Sequence, residues 1–270
     1  ATQTSGPSIS VASWNVEHFG RTSTGAAARD PREAVEFLSS QDADIVALYE
    51  VEGRELFWTV MGMMPDYTFF VTEGEQTQEI LVGIRSPLTG FVTQRTEFRA
   101  GNPGLRPGVL LTVNASGVLF SILFLHLKSM SDAKGFGLRD TMLRLALRLR
   151  CHLDHAAGGL ANYIFCGDLN TMGLDYPYAS HDISPDAEIA ELRRRAAHHT
   201  KHMRLLSKNS EVTWLPSVYS RFVPLDLDHV VAASHLKFSE FGGAEVDIRG
   251  WPRSESPHEW TSRYSDHALL

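Results

Sequence analysis

Short apolar runs that each deliver a compact polar side chain at one end are the strongest constraint on how this chain folds. Residues 9–14 lead into Asn15, residues 45–49 into Glu50, and residues 163–167 into Asp168 within Gly167-Asp168-Leu169-Asn170. The last residues read Ser265-Asp266-His267-Ala268-Leu269-Leu270. Runs this short, with β-branched content, predict buried strands. In a sheet protein the strand end is where side chains leave the packed interior and meet a ligand. Asn, Glu, Asp, Asn, Asp and His gathered at such ends form a set suited to phosphate and a hard divalent cation. Such a cation takes oxygen ligands, and one or two carboxylates suffice to hold it.

Between these runs helical patterns alternate with further strands. Asp30-Pro31 followed by Ala34, Phe37 and Leu38 predicts a helix start, with Asp as N-cap and Pro in the first turn. A short helix is predicted over residues 54–64. Strands follow over 68–72, 79–85, 91–98, 108–114 and 118–125, separated by turn formers such as Asn102-Pro103-Gly104 and Asn114-Ala115-Ser116-Gly117. Leu138, Met142, Leu145, Leu149 and Leu153 recur at helical spacing across 139–157, which predicts an amphipathic helix on a sheet. Residues 185–204 read as helical, 225–232 as a strand, and a last strand begins at His267. No repeat, low-complexity tract or linker divides the chain, so one domain over 1–270 is expected. Strands outnumber helices and helices recur between them, which a two-layer sheet sandwich flanked by helices accommodates.

The net charge of −7 argues against a broadly basic surface that coats nucleic acid. A local basic rim and a bound cation can still attract a polyanion. No apolar run approaches the roughly 18–20 residues needed to span a bilayer. Cys151 and Cys166 read as reduced thiols without metal-ligand spacing. The sequence opens without a methionine, and a secreted or periplasmic location is favoured over a cytoplasmic one. A monomer is expected.

Six segments in chain order carry a resemblance. They are Asn15 in Ser-Trp-Asn-Val-Glu-His-Phe-Gly, Glu50 in Leu-Tyr-Glu-Val, His126 in His-Leu-Lys-Ser, Asp168 and Asn170 in Gly-Asp-Leu-Asn, Asp228 in Leu-Asp-His, and Asp266-His267. Together they resemble the endonuclease/exonuclease/phosphatase superfamily, the metal-dependent phosphoesterases that include pancreatic-type deoxyribonuclease. The resemblance implies a four-layer α/β sandwich, two mixed β-sheets packed face to face and flanked by helices. It implies Mg²⁺ as cofactor, with Mn²⁺ or Ca²⁺ as substitutes, and phosphate-ester hydrolysis.

Carried over by position, Glu50 is the main metal ligand, with Asn15 and Asp266 near the ion. His267 is the general base or phosphate-contacting imidazole, oriented by Asp228 through its far ring nitrogen. Asp168 holds the attacking water. Asn170, two residues on and on the same face if the strand continues, donates to a phosphate oxygen. His126 is the general acid for the leaving oxygen, assisted by Glu79. Arg106 and Lys128 contact substrate phosphate, and Arg139 is a further candidate that could instead pair with an acid. Having His126 shifts the expectation from abasic-site repair toward a deoxyribonuclease-like endonuclease on DNA. A lipid or sugar phosphoesterase is the alternative, and a catalytically dead binding module is disfavoured because no active group is missing. The basic run over 193–204 is either a solvated helix face or a rim tracking a nucleic-acid backbone. Tyr49 stands where Gln is common in the family, and the stop at Leu270 predicts a weakly anchored last strand.

Overall fold

The computed structural model describes residues 6–19, 29–52, 54–75, 78–177, 181–220 and 222–270. The missing initial methionine, on which the compartment expectation rests, concerns residues outside this set. Ten strands form two mixed sheets. The first has the order β1 (Val11–Phe19), β2 (Ile45–Val51), β4 (Glu79–Arg85), β3 (Tyr67–Val71). The second has the order β5 (Thr89–Arg95), β6 (Gly108–Ala115), β7 (Val118–His126), β8 (Asn162–Asp168), β10 (Asp228–Ala233), β9 (Met203–Leu205). Pairing is parallel for β1 with β2 and for β7 with β8, and antiparallel elsewhere.

Strand alternation sorts each sheet into two faces. Ile45, Ala47 and Tyr49 of β2 meet Ile122 and Phe124 of β7 and Ile164 and Cys166 of β8 in a core between the sheets. The intervening Val46 and Leu48 pack outward with Val35 and Leu38 of helix α1 (Pro31–Ser39) and Leu56 and Val60 of α2 (Arg54–Met63). On the other side Leu123, Leu125, Tyr163 and Phe165 pack with Met142 and Ala146 of α3 (Ala133–Ala157) and Leu192 of α4 (Pro185–Ala196). A short α5 (Pro257–Arg263) precedes the C-terminal segment. The four layers are those the resemblance implies.

Helix boundaries follow local chemistry. The Asp30 carboxylate caps α1 at the Arg32 N–H, and Ser184 caps α4 at the Ala187 N–H, each with Pro next. Asp132 caps α3 at the Gly135 N–H, so that helix starts six residues before the Arg139 read from the sequence. Residues 185–204 are not one helix. The helix stops at Ala196, His202 turns left-handed (φ 48°), and Met203–Leu205 pairs as an edge strand of the second sheet.

The C-terminal segment is firmly held, which corrects the expectation of weak anchoring. Ser13 and Leu270 exchange backbone hydrogen bonds at 2.9 and 3.0 Å, and Ala268 N–H donates to Thr213 O at 2.7 Å. Trp14 Nε1 donates to His267 O at 3.0 Å, and Ser265 Oγ donates to Asn15 O at 2.6 Å. Ala268 and Leu270 join the inter-sheet core.

Candidate active site

The alternation that builds the inter-sheet core also builds the site. Along β7 the row Ile122, Phe124 ends at His126. Along β8 the row Ile164, Cys166 ends at Asp168, and Asp228 opens β10 directly across from Asp168 in the register. Asn15 ends the corresponding row of β1. Glu50 is left-handed (φ 61°), and this breaks the alternation of β2 and turns its carboxylate to the same mouth.

The groups form one chain of contacts. Asn15 Nδ2 donates to Asp168 Oδ2 at 2.9 Å and to Glu50 Oε1 at 3.3 Å. His126 Nε2 lies 3.5 Å from Glu50 Oε1 and 3.5 Å from Asp168 Oδ2. His267 Nε2 lies 3.8 Å from Asp168 Oδ2, and its Nδ1 is 2.8 Å from Asp228 Oδ2. Asp266 accepts from Trp214 Nε1 at 2.6 Å, and its Oδ1 lies 4.0 Å from His267 Nε2. Asp168, Asp228 and His267 offer ligand atoms within 4.8 Å of one another.

Burial sets the charges. Burial raises the Asp168 carboxyl to about 7; His267 and Asn15 oppose the rise, and Asp228 and Glu50 add to it. Asp266 is likewise pushed up to about 7 by burial. Burial alone would lower His267, but the Asp228, Asp168 and Asp266 carboxylates outweigh it and hold the imidazole well above its usual value. His126 is driven well below the usual value by burial, with Arg106 and His267 adding to the effect. A divalent cation fits this donor set. Asp266 Oδ1 is buried without a hydrogen-bond partner among the described residues, and the crowded carboxylates exceed the cations that face them.

The expected residues separate into those that converge and those that do not. Glu50, Asn15, His126, Asp168, Asp228, Asp266 and His267 converge. Asn15 turns its amide nitrogen to the carboxylates while its oxygen accepts the Glu17 N–H at 3.0 Å, so here it clamps two acids. Arg106 is half-buried, with Glu50, Asp168 and Glu52 as the carboxylates acting on it, and burial lowers its pKa. Lys128 is half-buried and within electrostatic reach of His126.

Three expectations are corrected. Asn170 is not on a continuing strand: β8 stops at Asp168, Asn170 is left-handed (φ 50°), and its Nδ2 donates to Leu127 O at 3.2 Å. Its backbone N–H donates to Asp168 Oδ1 at 3.0 Å, so it braces that carboxylate. Glu79 does not assist His126. Its carboxylate takes the Thr72 hydroxyl, and His126 Nδ1 is buried without a partner among the described residues. Arg139 does not reach substrate. It is fully buried, bonded to Glu188 at 3.0 Å and to the carbonyls of Lys128, Met130 and Gly173. It therefore holds the loop that carries Lys128.

Gln78, His18 and Trp214 belong to the site and were not read from the sequence. Gln78 Nε2 donates to Glu50 Oε2 at 3.0 Å, and the His18 N–H donates to the same oxygen at 3.2 Å. Beneath the mouth, Tyr49 is fully buried with its hydroxyl 2.8 Å from Ser13 Oγ. Three arginines of the basic run are held in ion pairs, Arg194 with Glu191, Arg195 with Glu191 and Asp140, and Arg204 with Glu245.

Two packed mixed sheets with acids and imidazoles at one mouth are the arrangement that the sequence resemblance implies. The profile of the Endonuclease/Exonuclease/phosphatase family matches residues 12–267, and the chain belongs to that family. No curated protein sequence matches it significantly. Solved structures share the fold at low identity. Zebrafish (D. rerio) TDP2 complexed with a single-strand DNA product aligns at TM-score 0.62 and 17% identity, over 97% of this chain and 96% of that one. The human Nocturnin catalytic domain with bound sulfate aligns at 0.59 and 16%, over 97% and 92%. The Bacteroides thetaiotaomicron mannosyl-6-phosphatase aligns at 0.56 and 14%, over 97% of each.

Proposed function

We propose that this chain is a metal-dependent phosphodiester hydrolase, a deoxyribonuclease-like endonuclease that cuts DNA with little sequence preference. The observation that carries the hydrolytic reading is the run Glu50, His126, Asp168, His267, Asp228, each step 3.8 Å or less and drawn from both sheets and the C-terminal segment.

Glu50 and Asp266 would hold the divalent ion, Mg²⁺ by preference from the family. Bound there, it supplies stabilisation of the negative charge that builds on the phosphate. The chain's own groups do the rest. Asp168, a poor acid in this setting, accepts the proton of the attacking water. His267, kept charged by Asp228, contacts the phosphate and returns a proton to the leaving oxygen. Burial keeps His126 neutral, so it positions Glu50 and Asp168, and the general-acid role expected of it passes to His267. Arg106 and Lys128 face the phosphate and its neighbour along the strand.

Support for DNA comes from these two cations and from the fold shared with a TDP2 that holds a single-strand DNA product. A lipid phosphodiester is the second reading, favoured by one observation. Val218, Tyr219 and Val223 are more than 60% exposed on the loop after Trp214, the residue bonded to Asp266. Supercoiled plasmid, a single-stranded oligonucleotide, sphingomyelin vesicles and mannose 6-phosphate, each with Mg²⁺ and with chelator, separate the readings. Metal-dependent nicking of plasmid is the expected result. Release of phosphocholine without nicking would overturn the DNA assignment, and inertness toward all four would overturn the hydrolase.

A further inference from the structure

A buried ammonium stands behind the strand start that carries Asp228. Lys208 lies on the segment that follows β9, and its side chain is 7% exposed. Its Nζ meets three acceptors: Asp226 Oδ1, Asp228 O at 2.6 Å and His229 Nδ1 at 3.3 Å. An ammonium has three protons and no lone pair, so each proton has one acceptor.

That count fixes the direction of the next bonds. His229 is buried, and burial together with the Lys208 charge holds its imidazole well below the usual value, so the ring is neutral. Its Nδ1 accepts from Lys208, which leaves the ring proton on Nε2, 2.8 Å from Thr171 Oγ1. The Thr171 hydroxyl donates in turn to Asp226 O at 2.7 Å. In the strand register His229 lies opposite Gly167, and Asp228 opposite Asp168. The relay thus ties the start of β10 to the loop that leaves β8 after Asp168.

An ion pair with Asp226 would use one of the three donors, and apolar side chains of like volume often match a buried pair in stability. The other two donors go to Asp228 and His229, where placement matters. His267 stands between two carboxylates, its Nε2 3.8 Å from Asp168 Oδ2 and its Nδ1 2.8 Å from Asp228 Oδ2. A misplacement of about 1 Å in such a set can cost on the order of 10²-fold in rate.

We propose that Lys208 is a positioning residue of this site: through Asp228 O directly, and through His229 and Thr171, it sets the separation of the Asp168 and Asp228 carboxylates across His267. This rests on the proposed hydrolysis, in which Asp168 and His267 move protons. Lys208 itself touches no reacting atom.

The test compares the full-length parent with Lys208→Met, which keeps the length of the side chain and loses its donors, at a temperature where circular dichroism shows both folded. On a nitrophenyl phosphodiester with Mg²⁺, kcat should fall at least tenfold with KM within twofold. Long-range ¹H–¹⁵N spectra in chelator read the imidazoles without turnover. The parent should show His229 protonated at Nε2 alone, and the His267 ring signals should move in Lys208→Met. A parent-like kcat, a His229 proton on Nδ1 in the parent, or unmoved His267 signals overturns the proposal. Should Lys208→Met fail to fold, Thr171→Val decides: a kcat at least threefold lower at unchanged KM supports the relay, and a parent-like kcat overturns it. A parent that hydrolyses no phosphodiester defeats the functional reading alone, and the His267 signals then decide the positioning role by themselves.

Discussion

His267 Nδ1 lies 2.8 Å from Asp228 Oδ2, a contact between the C-terminal segment and the first residue of β10, both buried. The pair fixes the ring so that Nε2 faces Asp168, and it keeps the imidazole charged against the cost of burial. Asp228→Asn removes the charge and keeps the shape. The variant should lose roughly 10²–10⁴ in kcat, the range for one acid–base group, with KM little changed. The alkaline limb of its pH–rate profile should move to lower pH, because His267 then releases its proton sooner. A profile identical to that of the parent would remove His267 from proton transfer.

Glu50→Gln is nearly isosteric but takes one negative charge from the cation site. Apparent affinity for the activating ion should fall at least tenfold, and plasmid nicking should fall with it. His199→Ala, at an exposed position far along the chain, should leave both unchanged. Calorimetric ion titration and a nicking assay check this. Parent-like ion affinity in the glutamine variant would place the ion elsewhere.

The crowded acids also make stability depend on pH. Asp168 and Asp266 hold their protons to about 7 in the fold, against the ordinary aspartate value of 3.8. The native state thus keeps protons that the unfolded chain has released, and stability is lost as pH rises from about 4 through 7. His267, raised above 6.5, extends that loss to higher pH. His126 and His229, held low by burial, act oppositely, but only below 6.5, where the unfolded imidazoles charge. Above neutrality the loss at His267 continues, while Lys208, pushed down by burial, works the other way as pH climbs toward 10.5. In chelator, Tm should therefore fall between pH 7 and 9, and Mg²⁺ should flatten the slope. A Tm that does not change over that range in chelator would contradict the buried-acid account.

Much of this site was legible in the sequence because strand ends are legible. Apolar runs located Glu50, His126 and Asp168, the family resemblance added Asp228, and in-facing rows carried His126 and Asp168 to one mouth. What escaped depends on single-residue geometry. Gln78 rather than Glu79 reaches the site, because a one-residue step along an extended segment turns the side chain to the other face. Asn170 needed knowledge that the chain turns left-handed after Leu169. Arg139 looked like a phosphate contact, and only the tertiary placement of Glu188 shows it to be a buried brace. The run over 193–204 reads as a basic face until Asp140 and Glu191 are seen opposite it.

The two thiols should behave as different chemical species. Cys166 is buried under Tyr49, and burial pushes its thiol up to about 12, so essentially no thiolate exists at pH 8. Cys151 is exposed on α3, with the Lys201 ammonium 3.3 Å from its sulfur. Native protein should therefore titrate one thiol with a disulfide reagent at pH 8, and Cys151→Ser should titrate none until denaturant is added. Gly167 makes the same region sensitive from the backbone side. It is left-handed at φ 133°, and a Cβ there would stand 2.1 Å from Leu125 O and 2.7 Å from the Tyr49 hydroxyl. Gly167→Ala should cost about 2 kcal/mol or more by overpacking and expose Cys166 to the reagent. A second native thiol in the parent, or a Gly167→Ala protein as stable as the parent, would mean that the wall beneath the active site is looser than these contacts require.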